Sequence, residues 1–291
     1  MVIIMNDLLK KLSIEANEKS FNYNFDETYD EQRETLKKVL NVLGSILLIY
    51  TIKNEFLILK SKEKNKIKEK LYAEISISFE KQIDIENKLI SDALFKNTQD
   101  NYYRKLFVLS LGTKINVKKI NDSKINDIVN DVVEGETWSE RLLKNKNALK
   151  IVLKKDIKNF LDGYISVNEI KNKIESRFNT NAYESKRLVE SEIARCQSNV
   201  NDYVAEKYDI RKQLFMATLD NKTSKKCRNF DGKIFDVDDP NKPMPPLHPF
   251  CRSCLVNIPN ENWRPERRYD NITKTDIIWK KYKQWYDSNI K

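Results

Sequence analysis

The chain has 291 residues, 53 of them Lys or Arg and 43 Asp or Glu, for a formal net charge of +10 at 40% hydrophobic content. That length allows one or two domains. The apolar share is enough for true cores, and a mean hydropathy of −0.65 makes them thin under a plentiful polar surface. Five Gly, far below the usual share, leave few tight turns and point to a mostly helical chain; the basic excess permits contact with nucleic acid or an acidic partner without requiring it, because a solvated Lys/Glu helical surface has the same composition.

The first residues, MVIIMNDLLKKL, hold an apolar run too short for a secretory signal. Residues 1–30 show scattered aromatics (Phe21, Tyr23, Phe25, Tyr29) and no sustained period, and read as a mobile, loosely held arm. From about Glu31 to Phe95 the pattern is helical: Leu36, Val39, Leu40 and Leu43 fall on one face, and Ile67, Leu71, Ile75 and Phe79 repeat at intervals of four. The longest apolar stretch, Val39–Ile52, falls short of the roughly 18 apolar residues of a spanning helix. It reads as a buried helix, with interfacial membrane contact as the alternative. The charge run Lys60–Lys70 marks an exposed helix start or a turn, and Tyr102–Leu111 forms a further short apolar run closed by Gly112. Thr137 followed by Glu140 is a capping box that starts a helix running, with or without a break, to Phe160, where Gly163 ends it. Ser166 and Glu169 repeat the capping signature ahead of Ile170, Ile174 and Phe178. A last long helix spans about Ala182–Tyr208 with Leu188, Ile193, Val200 and Val204 inward.

After Ile210 the period shifts. Gln213–Leu219 and Lys233–Val237 read as strands, with Asp231-Gly232 a turn between them. Pro240–Pro249 carries five Pro and excludes regular structure. The fold class expected is mainly α, with a small α+β, Cys/His-containing, loop-rich module at 211–259. That module holds the one His and three of the four Cys of the chain. Cys227, His248, Cys251 and Cys254 are candidate metal ligands, because structural zinc sites favour four N/S donors at two-residue gaps and a module this small gains from a metal. The alternative stays open that these are small buried hydrophobes and a backbone-bonded imidazole. Ser224 stands where a partner for Cys227 would complete a first ligand pair. Asp220 and Thr223 read as a turn anchor, and Arg252 is placed to pair with Asp220 or Asp231. Glu192 and Arg195, three apart, can pair on one helical face. A hydrolytic site, with Glu192 or Asp220 as base to a metal-bound water, is a further alternative.

At these residues the chain resembles the tailed-phage head morphogenesis family, the Mu F-like minor capsid proteins. The matching elements are Ser191-Glu192 with Arg195, the strand Phe215–Leu219, then Asp220, Thr223 and Cys227. Phe230-Asp231-Gly232-Lys233 follows, then Pro245-Pro246-Leu247-His248-Pro249-Phe250-Cys251-Arg252, with Tyr282 and Trp285 similar to a Tyr-x-x-Trp ending. The likeness spans roughly residues 135–286. Ser191 replaces a usual Thr, Ser224 and Ser253 stand where many relatives carry Cys, and Cys254 is displaced by one. The resemblance implies a helical region at 1–134, a head morphogenesis domain at 135–259 and a basic, aromatic tail at 260–291. It implies a non-enzymatic minor head protein, present in the bacterial host cytoplasm during assembly and then in the virion head. Its implied partners are the portal and the major capsid or scaffold protein, with no membrane and no small-molecule substrate; zinc is the one cofactor in view.

Between Arg264 and Lys291 there are eight basic and four acidic residues interleaved with aromatics. Arg264, Arg267, Arg268, Lys280 and Lys281 are candidate contacts to packaged DNA, backbone-driven and without sequence preference. The competing expectation is that Trp279, Tyr282 and Trp285, at spacings of three, dock the last helix on the body. A DNA-binding protein outside the virion is the remaining alternative.

Overall fold

The computed structural model describes residues 25–112, 115–258 and 266–289. Most of the expected arm at 1–30, and Arg264 in the tail, lie outside them. Among the described residues the protein is mainly α with small antiparallel sheets, as composition and periodicity led us to expect. In chain order the elements are α1 (Asp26–Ile49), β1 (Ile52–Lys53), β2 (Phe56–Leu57), α2 (Ser61–Gly112), α3 (Asp122–Val129), α4 (Trp138–Leu161) and α5 (Val167–Lys207). Then come β3 (Lys212–Met216), α6 (Lys225–Phe230), β4 (Ile234–Asp236), β5 (Cys254–Ile258), β6 (Arg267–Asp270), β7 (Thr275–Ile278) and α7 (Tyr282–Asn289). Two compact units share these elements. One comprises Asn24–Ser91 and Val132–Leu188; the other draws on Asp92–Asp131 and Val189–Lys291.

In the first unit, α1, the first part of α2, α4 and the first part of α5 pack on one apolar core. Val39, Leu43 and Ile46 meet Leu71, Ile75, Phe79, Leu153, Ile157, Phe160, Ile170 and Ile174 there. The stripes read from the sequence are these faces. The helix ends also follow local chemistry. Thr137 Oγ1 accepts from Glu140 N–H while the Glu140 carboxylate accepts from Thr137 N–H, closing the capping box. At the far end of α4, Tyr164 N–H donates to the Asn159 carbonyl and Gly163 N–H to that of Phe160. This Schellman arrangement needs the positive φ that Gly163 supplies at +83°.

The apolar stripes give way to a buried polar layer in the same unit. Thr28, Gln32 and Thr35 on α1, Gln82 and Glu86 on α2, Lys146 on α4, and Asn181 and Ser185 on α5 are all inaccessible. Its centre is an ion pair, Lys146 Nζ to Glu86 Oε1 at 2.5 Å, with Asn181 Oδ1 at 2.7 Å accepting from the same ammonium. Gln32 and Ser185 donate to the Glu86 carboxylate. Burial lowers the Lys146 pKa, and Glu86 works against that shift.

The apolar run Tyr102–Leu111 forms the last part of α2, which ends at Gly112. Three expectations need correction. The face at Ile170–Phe178 and the helix at 182–208 are one helix, α5. Val39–Ile52 is not buried throughout: Val39, Leu43 and Ile46 are buried and Leu40, Val42, Leu47 and Tyr50 pack partly buried against the core, but α1 ends at Ile49 and Leu48, Ile49 and Ile52 are exposed. Finally, β3 and β4 are not joined by a two-residue hairpin; α6 intervenes, and Asp231-Gly232 forms its exit.

Leaving Glu86 buried without its cation is costly. Lys146→Ala is expected to lower the unfolding free energy by about 3–5 kcal/mol in a urea titration, while Lys146→Met combined with Glu86→Leu recovers most of that loss.

Candidate functional site

In the second unit, β3 is the central strand of a three-stranded antiparallel sheet ordered β4-β3-β5. Leu214 pairs with Ile234 on one side and Val256 on the other, and Met216 with Cys254. The chain leaving β3 makes a tight turn around Asp220, whose carboxylate accepts from Lys222 N–H, Thr223 N–H and the Thr223 hydroxyl. Arg252 pairs with its other oxygen at 2.5 Å, and Thr218 Oγ1 donates to the Arg252 carbonyl. The expected turn anchor and its arginine are therefore one unit. They bring the segment before α6 against the segment before β5. Ser224 caps α6, accepting from Cys227 N–H at 3.3 Å.

This places Cys227 beside the turn 248–251, which is closed by Cys251 N–H to the His248 carbonyl. Phe250 sits there at φ +57°, a conformation bulky residues rarely adopt. Cys227 Sγ lies 3.3 Å from His248 Nε2 and 3.7 Å from Cys251 Sγ, and the three donor atoms fall within 4.8 Å of one another. His248 Nδ1 is 2.8 Å from the Pro249 carbonyl. A carbonyl only accepts, so the proton belongs on Nδ1 and the Nε2 lone pair faces the sulfurs. The hydrogen bond from Cys251 brings the Cys227 thiol down to about 5, with Ser224 and Ser253 assisting against burial. The same bond, with burial, raises Cys251. Two sulfurs, one favoured as thiolate, and one imidazole lone pair form a donor set that suits a borderline-soft cation.

Cys254 is not part of this group. It opens β5, and side chains alternate along a strand, so moving a sulfur by one residue turns it to the other face. Ser253 occupies the near position instead: it is buried and hydrogen-bonds to Cys227. Ser224 and Ser253 both adjoin Cys227.

Glu192 and Arg195 form a buried pair, Nε to Oε2 at 2.7 Å, and the same guanidinium donates to the Ile128 and Val129 carbonyls at the end of α3. Its work is to cap one helix from another. Neighbouring Cys196 is core, its thiol pushed up to about 11 by burial.

The tail docks by polar contacts that the sequence reading missed. Asp231 accepts from Ala217 N–H, Tyr282 N–H and both terminal nitrogens of Arg268. Arg268 is buried and cannot reach DNA; that expectation is withdrawn, because its guanidinium is committed to Asp231 and stacks on Trp279 at 4.7 Å. Arg267 and Lys281 are exposed and Lys280 half-buried. Lys281 also packs over Gly232, where a Cβ would come within 3.2 Å of its side chain. Tyr282 and Trp285 are buried on Leu219, with Tyr282 OH donating to the Asp220 carbonyl and Trp285 Nε1 to Asp270. Trp279 precedes α7 and is not on its face. A signal for Asp270 was present: Asp270-Asn-Ile-Thr273 repeats Asp220-Asn-Lys-Thr223. The Asp270 carboxylate likewise accepts from the amides two and three residues on. The two turns lie side by side through a bridge between Leu219 and Asp270.

Residues 152–256 match the family of Phage Mu protein F like protein. The resemblance carried by the motifs is borne out over that Mu F-like segment, which runs from α4 into β5 and contains the whole sulfur and imidazole cluster. The chain is also 26% identical over 223 residues to an NAD(+)--arginine ADP-ribosyltransferase EFV of Enterococcus faecalis (strain ATCC 700802 / V583), covering 70% of this chain. It spans 45% of that protein's length. No solved structure matches. The family match supports a phage head protein.

Burial alone would raise the Asp220 carboxyl, but Arg252 and the Thr223 and Lys222 donors outweigh it and hold it low. Burial is likewise outweighed at Asp270 by Trp285 and the Ile272 and Thr273 amides. A carboxylate lowered on folding contributes stability that is complete above its unfolded value, 3.8 here. That stability is lost as pH falls through the lower folded value. The Trp285 emission of the native state is therefore expected to collapse in acid, with the midpoint shifting when Asp220→Asn removes one of the two groups.

Proposed function

We propose that this protein is a minor head protein of a tailed phage or prophage. It acts by binding during head assembly, at or near the portal, and is incorporated into the virion. The observation that carries the reading is the coincidence of the Mu F-like segment with the Asp220, Cys227, His248, Cys251 and Arg252 constellation. Residues 135–259 are the assembly domain on this reading, and the partners are portal, major capsid or scaffold subunits. Arg267, Lys280 and Lys281 supply non-specific contact to packaged DNA.

The motif carboxylates argue for a binding role. Glu192 is paired with Arg195, Asp220 with Arg252 and Asp231 with Arg268. At Asp220 and Asp231, where backbone amides fill acceptor positions beside the guanidinium, no lone pair is positioned to take a proton from a nucleophile. The cluster itself supports a structural zinc held by Cys227, His248 and Cys251, with Ser253 beside the position a fourth ligand would take. The ADP-ribosyltransferase relative motivates a second reading, transfer of ADP-ribose from NAD+ to arginine, and that reading rests on the relative's name.

Three measurements test these readings. Procapsids and virions purified from a producing lysate are expected to contain the chain, co-purifying with portal; its absence from both would end the assembly reading. Elemental analysis of purified protein is expected to find zinc that His248→Ala loses and Ser253→Cys retains more tightly against a chelator. Zinc-free protein would remove the metal and leave assembly standing. Incubation with labelled NAD+ and an arginine-rich acceptor is expected to give no transfer.

A further inference from the structure

The end of α1 and the hairpin that follows expose aliphatic side chains that the core does not use. Leu48 is 90% exposed, Ile49 73% and Ile58 54%, with Ile52 and Phe56 also open to solvent. All fall within residues 48–58. Cross-strand pairing sets Lys53 beside Phe56, and Ile58 N–H donates to the Thr51 carbonyl, so Phe56 and Ile58 share the outward face of the hairpin. The connection between α4 and α5 adjoins it, since Val167 N–H donates to the Glu55 carbonyl; that connection presents Tyr164 at 77% exposure. The hairpin turn runs through Asn54 and Glu55, both at positive φ, so its shape is held by the strands rather than by glycine.

Around this patch the charge is basic. Lys53, Lys60, Lys62 and Lys66 are exposed. Of the acidic residues, Glu63 is turned to the Lys60 backbone N–H, Asp162 is engaged by Lys158 and Lys64 and Glu169 pairs with Lys173, while Glu55 and Glu69 are exposed. Aliphatic side chains inside a ring of ammonium groups suit one partner above others. Nucleic acid would satisfy the lysines but leave Leu48, Ile49 and Ile58 wet, because bases stack on aromatic rings. A second copy would satisfy the aliphatic groups but set lysines against lysines. An anionic bilayer takes both, with aliphatic side chains entering the acyl boundary and ammonium groups reaching the phosphates. We propose that residues 48–58, with Tyr164, form an interfacial docking tip for an anionic lipid surface. The proposal is independent of the assembly role and of the metal.

Flotation of the full chain with vesicles tests it. Wild-type protein is expected to float with mixed phosphatidylcholine–phosphatidylglycerol vesicles and to stay down with phosphatidylcholine alone. Leu48→Ser combined with Ile49→Ser should weaken the association at least about tenfold, as expected for removing two aliphatic chains from an apolar phase. Lys62→Gln should weaken it about fivefold. Because these side chains are exposed, the melting temperature should not move, and a circular dichroism melt checks that. No flotation by the wild type, or flotation unchanged in the double variant, would overturn the proposal. So would a wild-type dimer that the double variant abolishes in the absence of vesicle binding, which would give the tip to a second copy.

Discussion

The Asp231 carboxylate holds the small module together. It receives a backbone donor from the end of β3, a backbone donor from the start of α7 and both forks of Arg268 from β6. Its own residue is the C-cap of α6, the helix that carries Cys227. One side chain thus fixes four elements that are distant in sequence. Burying a carboxylate is expensive, and here the cost is offset because its acceptor capacity is filled and the cation is bidentate. Such an anchor matters in a module whose apolar centre is Phe215, Ala217, Cys227, Cys251 and Leu255. A core that small does not specify its loops by packing alone.

Two of those core residues are also the sulfurs of the candidate site. The two readings left open by the sequence, small buried hydrophobe and metal donor, are therefore not exclusive. Cys227 and Cys251 fill space between strand and helix, and the same packing holds their sulfurs against His248. What tips the geometry towards a donor set is the imidazole: the Pro249 carbonyl fixes which nitrogen is bare, and that nitrogen faces inward. The paired Asp-Asn-x-Thr turns provide the frame, each folding its loop onto its own carboxylate and each closed by a tail residue, Tyr282 on one and Trp285 on the other.

Much of this was legible in the sequence, for identifiable reasons. The stripes at Val39–Leu43, Ile67–Phe79 and Ile170–Phe178 appear because helical period and burial coincide there. The Thr137 box and the Gly163 exit appear because caps are local chemistry. The polar layer escaped detection because Gln32, Glu86 and Lys146 continue those stripes with side chains that ordinarily face water; only their mutual contacts explain their burial. Arg268 looked like a DNA contact because composition records charge and not the Asp that neutralises it. Cys254 looked like a ligand because spacing along the chain does not reveal that a strand begins there and turns the side chain aside. In each failure the deciding fact is a partner far away in sequence.

The same distinction bears on whether the site runs a reaction. Reactive carboxylates need an unfilled lone pair. Glu192, Asp220 and Asp231 instead each meet an arginine: Arg195 carries the pair on to the end of α3, while Arg252, from the turn before β5, and Arg268, from β6, tie their own segments to the Asp. The charges that a motif search would flag as acid–base machinery are the fasteners between segments.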